Sequence, residues 1–152
     1  KDERNPAIVA AFVWQESSFN TDAFRFEKDF FNRYLKTKPE YAKQNPRVVS
    51  SSYGLCQIML PVAHERGYPM THAPEMLFVP EIGLEWGCRQ LKMLFDWASK
   101  FETHPDAQYR AALASYNGGR GGNKPTESPL RNGRYANEVD AKRRIMGKLY
   151  DR

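Results

Sequence analysis

Glu16 stands at the seam between an apolar helical run and a polar turn, in the stretch FVWQESSFNTDAF. A carboxylate at a helix C-terminus meets the negative end of the macrodipole, which disfavours ionisation. The apolar neighbours Phe12, Val13 and Phe19 are expected to desolvate it in the same direction. A glutamate kept protonated near neutral pH can act as a general acid on a glycosidic oxygen. Taken alone, Glu16 is better read as a solvent-facing charge at a helix end. In SSYGLCQIM, Gly54 permits close backbone approach and Gln57 is an amide among Leu55, Ile58 and Met59. A buried amide needs partners, and the hydroxyl and N-acetyl groups of a sugar supply them. In ALASYNGG, Tyr116 and Asn117 end a helix beside two glycines. That phenol and amide suit sugar recognition or the orienting of a carboxyl, although a capped helix with a core tyrosine is the plainer reading.

The elements that carry these residues follow from caps and periodicity. Asn5-Pro6 reads as an N-cap with proline in the first turn, and Ile8, Val9, Phe12 and Val13 recur at helical spacing up to Glu16–Ser18. FRFEKDFFNRYLK, residues 24–36, predicts a second amphipathic helix or a partly helical insert, and KPEYAKQNPRVVSSS reads as loop. Helical character is expected again in GLCQIMLPVAHERGY, interrupted by Pro61. Pro80 and Pro105 each open a further helix, the second ended by Asn117-Gly118-Gly119 in a left-handed cap. YANEVDAKRRIMGKLY closes the chain as a last helix, after a loop over residues 118–133 rich in Gly and Pro. No stretch alternates for long enough to promise a strand, so a mostly α, compact single domain over residues 1–152 is expected. Long loops near 36–52 and 118–133 are more often functional than idle.

Composition bounds the partners. With 41% apolar and 27% charged residues of mixed sign, the 152-residue chain is globular and long enough for a core. No apolar run approaches the ~20 residues of a membrane span. The opening KDERNP lacks a methionine and a secretory signal, which suggests a processed product or a domain cut from a longer protein. A net charge of +5 favours an anionic partner, such as nucleic acid, an acidic wall polymer or a phospholipid surface. The basic stretch DAKRRIMGKLYDR is better read as the solvated face of a terminal helix than as a nucleic-acid stripe. Cys56 and Cys88 lack C-x-x-C spacing and the three histidines are scattered, so no metal and no cofactor is expected.

Together and in order, the three segments resemble the catalytic domain of the soluble lytic transglycosylase family. That family carries a Glu-Ser pair ending a helix, a G-L-x-Q-[IV]-M/P stretch and an A-x-Y-N-x-G stretch. They stand here as Glu16-Ser17, Gly54-Leu55-Cys56-Gln57-Ile58-Met59 and Ala114-Ser115-Tyr116-Asn117-Gly118-Gly119. YANEV, from Tyr135 to Val139, is similar to the family's closing Tyr-x-x-x-Val element, and the resemblance runs from about residue 6 to 148. RFEKDFFNRY is similar to phage-encoded and virion-associated members. The resemblance implies a lysozyme-like fold of the goose-type kind, with a substrate cleft. It implies Glu16 as lone acid/base, Gln57 and Met59 lining the cleft, Tyr116 holding the Glu16 carboxyl, Asn117 supporting that arrangement and Ser17 securing the turn. A substrate serine falls to Ser51 or Ser52, with Ser52 preferred, and Tyr135 joins the binding set. The segment between Phe24 and Ser50 is longer than in many relatives, and Ser50-Ser51-Ser52-Tyr53 departs from the usual Ser, Gly and Ala.

The implied activity is cleavage of the MurNAc–GlcNAc β-1,4 bond of peptidoglycan with formation of a 1,6-anhydro end, at the bacterial wall, by a monomer. One alternative is a goose-type-like muramidase using water, with Asp22, Glu27 or Asp29 as base. The other is a catalytically silent wall-binding or tail module. Gln57 is expected to matter more for glycan binding than for folding. Both cysteines lie in apolar stretches of a chain that needs no staple at this length. Thiol counting under denaturing conditions without reductant should therefore find two free thiols, and a smaller number would mean a disulfide.

Overall fold

The computed structural model describes residues 5–150. Lys1 to Arg4 of the opening KDERNP, and Asp151 and Arg152 of the basic terminal stretch, lie outside the described residues. The first half of the chain holds α1 (Pro6–Ser17), β1 (Phe24–Phe26), α2 (Lys28–Phe30), a π-helical turn (Phe31–Leu35), α3 (Pro46–Val49), β2 (Ser51–Tyr53) and β3 (Ile58–Met59). The rest holds α4 (Leu60–Glu65), a 3-10 turn (Pro74–Phe78), α5 (Pro80–Ala98), α6 (Pro105–Gly118) and α7 (Gly133–Tyr150). The fold is mostly helical, as expected. Among the described residues no helix is long and apolar enough to cross a membrane. The chain divides into two units, one of residues 1–15 and 88–152, the other of residues 16–87.

In the first unit, Asn5 caps α1 as its sequence implies: its Oδ1 accepts from the Ala7 amide at 2.9 Å. Ala7, Ile8, Ala11, Phe12 and Val13 are buried on α1, and Ala111 to Ser115 form an unbroken buried run on α6. Full burial of a side chain such as Phe12 is worth about 1.5–3 kcal/mol. α6 packs on α7, and Phe95 of α5 meets Tyr109 of α6 edge-on at 4.4 Å. Gln15 ties α1 to α7, donating to Glu138 at 2.7 Å and accepting from Lys142 at 2.7 Å. Lys142 also lies over the Trp14 ring, and Arg143 and Arg144 both pair with Asp140. Much of the basic charge of the last helix is thus committed to neighbours in the same unit. The end of α6 differs from expectation: the helix runs through Gly118, and Gly119 has φ +82° and ψ 170°, outside the left-handed helical region.

The second unit corrects the absence of strands. β1, β2 and β3 form an antiparallel sheet in that order. Strands of two or three residues are too short for alternation to register. The segment expected to open a helix at Phe24 begins as β1, and the helical reading of residues 54–68 holds only from Leu60. Residues 38–52, read as loop, contain α3, capped by Asn45 through a bond from the Arg47 amide. The core gathers Leu35, Tyr41, Val49, Tyr53, Ile58, Leu60, Ala63, Tyr68, Leu77 and Trp86. Tyr53 donates from its hydroxyl to the Val48 carbonyl at 2.6 Å, and burial, helped by the Glu75 charge, pushes its pKa up to about 12.

Tyr41 stacks on His64, with the phenol oxygen 2.7 Å from Nδ1. Burial pushes the His64 pKa down, and burial, then the charges of Glu40 and Glu65, raise that of Tyr41. Both shifts favour a neutral pair. A base with a depressed folded pKa gives its full stabilisation above its unfolded pKa of about 6.5 and loses it as pH falls through the folded value. The melting temperature should therefore drop between about pH 7 and pH 5 more steeply in the wild type than in His64→Asn. Equal slopes in the two proteins would remove His64 from the pH response.

Candidate active site

Glu16 and Ser17 are the last residues of α1, both partly buried. The helix stops there because Ser18 and Phe19 take φ of 51° and 63°, a region that L side chains enter at a cost. The Ser17 carbonyl accepts from the Asn20 amide at 3.0 Å, which closes the turn. Phe19 is 50% exposed, so it does not serve as the desolvating neighbour that its sequence position suggested. Phe12 and Val13 are buried as expected.

The third non-glycine residue with positive φ among the described residues is Gln57, at 47°. It sits in the tight connection between β2 and β3. Its Nε2 donates to the Ala23 carbonyl at 2.9 Å and the Gly54 carbonyl at 3.0 Å. The Gly54 amide donates to the same Ala23 oxygen at 2.8 Å, so the turn after α1 is stitched to the β2–β3 connection. Gly54 has φ +70°, and a Cβ there would stand 2.5 Å from the Leu77 carbonyl oxygen, so the position admits only glycine. The expectation that Gln57 serves glycan rather than fold is therefore incomplete: its donors hold backbone, and its Oε1 is what it can offer a ligand.

Sheet register brings two further expected residues together. Ser52 pairs directly with Met59, and on its other side with Arg25, so the three side chains share one face. Tyr53, Ile58 and Phe24 take the opposite face. Of the serines, Ser50 donates to the Glu27 carbonyl at 2.6 Å and Ser51 to the Arg47 carbonyl at 2.5 Å. Ser52 has no such side-chain bond among the described residues, which leaves its hydroxyl as the one available. Arg25 was not anticipated; it pairs at 2.9 Å with Glu27, one of the candidate bases of the muramidase alternative.

Tyr116, Asn117 and Tyr135 belong to the first unit. The Tyr116 ring meets Phe12 edge-on at 4.5 Å and 83°, which fixes the phenol's direction. Asn117 is exposed near the end of α6, and Tyr135 is 9% exposed in the first turns of α7. Asn117 Oδ1 accepts from Asn132 at 2.9 Å, a partner in the Gly/Pro-rich loop that no periodicity marks. Among the described residues, no group of three or more His, Cys, Asp or Glu side chains could hold a metal ion. Cys56 and Cys88 are not joined in a disulfide, and burial raises the Cys88 pKa.

The family model for the transglycosylase SLT domain matches residues 1–137. No curated protein and no solved structure matches the chain.

Replacing the Gln57 donors tests the stitched turn. Gln57→Glu sets a carboxylate against two carbonyl oxygens and should destabilise the protein by about 1–3 kcal/mol in urea unfolding. Unchanged stability would mean that the amide does not hold Ala23 and Gly54.

Proposed function

The chain belongs to the transglycosylase SLT domain family, and on that footing we propose that it is a peptidoglycan lytic transglycosylase with Glu16 as its single acid/base. The family acts on peptidoglycan, so the substrate class is the glycan strand of the bacterial wall. The observation that carries the finer reading is where backbone strain falls. All three non-glycine residues with positive φ among those described lie just after Glu16-Ser17 or at Gln57. Strain of order 1–3 kcal/mol per residue persists where surrounding structure enforces it, and such positions cluster at functional sites.

In this reading, protonated Glu16 gives its proton to the bridging oxygen as the MurNAc C1–O bond breaks. The 6-hydroxyl of the same MurNAc closes on C1, and the Glu16 carboxylate takes that hydroxyl's proton. One C–O bond replaces another, no water is consumed, and a 1,6-anhydroMurNAc end remains. A single carboxylate suffices because the substrate carries its own nucleophile. Ser52, Gln57, Met59, Tyr116, Asn117 and Tyr135 make up the glycan-binding set, while Ser17 secures the turn behind the acid. We place the protein at the wall, in the periplasm, outside the cell or in a phage virion, acting as one monomeric catalytic domain without a cofactor.

Glu16→Gln tests this. The amide is nearly isosteric but cannot give and retrieve a proton, and such assistance is worth ~10²–10⁴-fold in rate. Muropeptide release from purified sacculi should fall by at least that much while the variant still folds and binds glycan. Near wild-type release would remove Glu16 from the chemistry. Mass spectrometry of the wild-type products separates the readings: anhydro ends, lighter by one water, support transglycosylation, hydrated ends support a muramidase, and no release supports a silent wall-binding module.

A further inference from the structure

The loop between α6 and α7 is organised around Asn123, fully buried in a segment otherwise rich in Gly and Pro. Its amide orientation follows from partners that can play only one part. The Asn132 backbone N–H, solely a donor, reaches Asn123 Oδ1 at 2.9 Å. Asn123 Nδ2 then faces acceptors: the Gly119 carbonyl at 2.8 Å, the Ala114 carbonyl at 3.4 Å and Asn132 Oδ1 at 2.9 Å. Asn132 Oδ1 also accepts from Arg131 Nε at 3.3 Å, so the other end of that amide must be its NH2. That NH2 donates to Asn117 Oδ1 at 2.9 Å. The chain of single-role partners therefore leaves Asn117 one orientation, with Oδ1 turned to Asn132. Its Nδ2 has no protein partner among the described residues, and the residue is exposed.

Gly118 completes the arrangement. A Cβ there would run into the Asn132 side-chain amide, so the helix end must be bare for Asn132 to lie across it. Arg131 adds a bond from Nη2 to the Gly118 carbonyl, holding the loop against the same turn.

We propose that Asn132 is a positioning residue that locks Asn117 as a hydrogen-bond donor toward an acceptor oxygen of the bound glycan. The inference rests on Asn117 contacting glycan, as the function proposed above has it. An outward NH2 selects an acceptor, and the acetamido carbonyl of an N-acetylated sugar is the strongest neutral one such a strand offers. An unlocked asparagine amide could turn either end outward; the locked one presents a donor alone.

Two measurements test this. Asn132→Asp keeps the acceptor that Asn123 needs but puts a carboxylate in front of Asn117, whose amide must then turn over and show its oxygen to the ligand. Asn132→Asp and Asn117→Ala should each lower muropeptide release about tenfold, and the double variant should lose no more than Asn117→Ala alone. Losses that multiply would overturn the proposal, because a merely structural Asn132 would act independently of Asn117. The second measurement needs no catalysis and no variant. In the wild-type protein, the side-chain NH2 of Asn132 should exchange slowly with water by NMR and that of Asn117 quickly. The Asn117 NH2 signals should also shift with tri-N-acetylchitotriose. The opposite exchange pattern, or Asn117 signals unmoved by saturating saccharide, would overturn the proposal. Should wild-type protein fail to cut sacculi, the lytic reading falls and the NMR result still decides the lock.

Discussion

The carbonyl of Ala23 is the point on which the acid-bearing unit turns. It accepts from the Gly54 amide at 2.8 Å and from Gln57 Nε2 at 2.9 Å. A carbonyl has two lone pairs, and here both are occupied by one short segment of chain. The segment leaving Glu16 is thereby fixed to the β2–β3 connection at a point seven residues after the acid. Neither side of this stitch is conformationally cheap. Ser18 and Phe19 have positive φ on the way to it, and Gln57 has positive φ at the other side. The hydrogen bonds and the strain occur together: Gln57 bonds two carbonyls while its backbone holds that unfavourable conformation, the kind that persists where surrounding structure over-determines it.

The first unit reaches the same end by different means. Its polar network has no strained non-glycine backbone; instead a buried asparagine reads the roles of its neighbours and passes an orientation outward. Asn123 is fully buried, so an unpaired amide there would cost about 1–3 kcal/mol, and both ends of it are paired. Gln57 spends its donors on backbone and keeps an acceptor, whereas Asn117 spends its acceptor and keeps a donor. Two amides of the same chemistry are thus left with opposite ends unused among the described residues, and in each case the protein's own carbonyl and amide groups make the choice.

Legibility in the sequence tracks how local each signal is. Asn5-Pro6 announced α1, and Pro80 and Pro105 announced α5 and α6, because a cap and a fixed φ act within one turn. Asn45-Pro46 carries the same signal, yet α3 is a single turn inside a loop-like composition and did not stand out. The sheet was illegible for a physical reason: Ser51, Ser52 and Tyr53 are all buried, so the strand shows no inside–outside alternation. The candidate site was legible only as an ordered set, since Glu16, Tyr116 and Asn117 each have a plainer structural reading when taken alone. Its geometry was not. The Gln57 amide is held by Ala23, thirty-four positions away, and the orientation of Asn117 depends on Asn132 and Asn123. No window of sequence contains those relations.

The same distinction explains why α1 ends on a carboxylate. A helix that merely needed to stop could end on glycine, which enters positive φ without cost. Here the next two residues are Ser18 and Phe19, both with side chains and both at positive φ, and Phe19 stands half exposed. Burial of Phe19 therefore does not account for the turn, and neither does relaxed backbone. What the sharp turn secures is position: it stops the helix at Glu16-Ser17 and sends the chain to the Ala23 carbonyl within six residues. On the proposed reading, a carboxyl in the last turn of the helix, against the negative end of the dipole, stays protonated until a substrate oxygen is placed to take the proton. The strain after it is the cost of keeping it there.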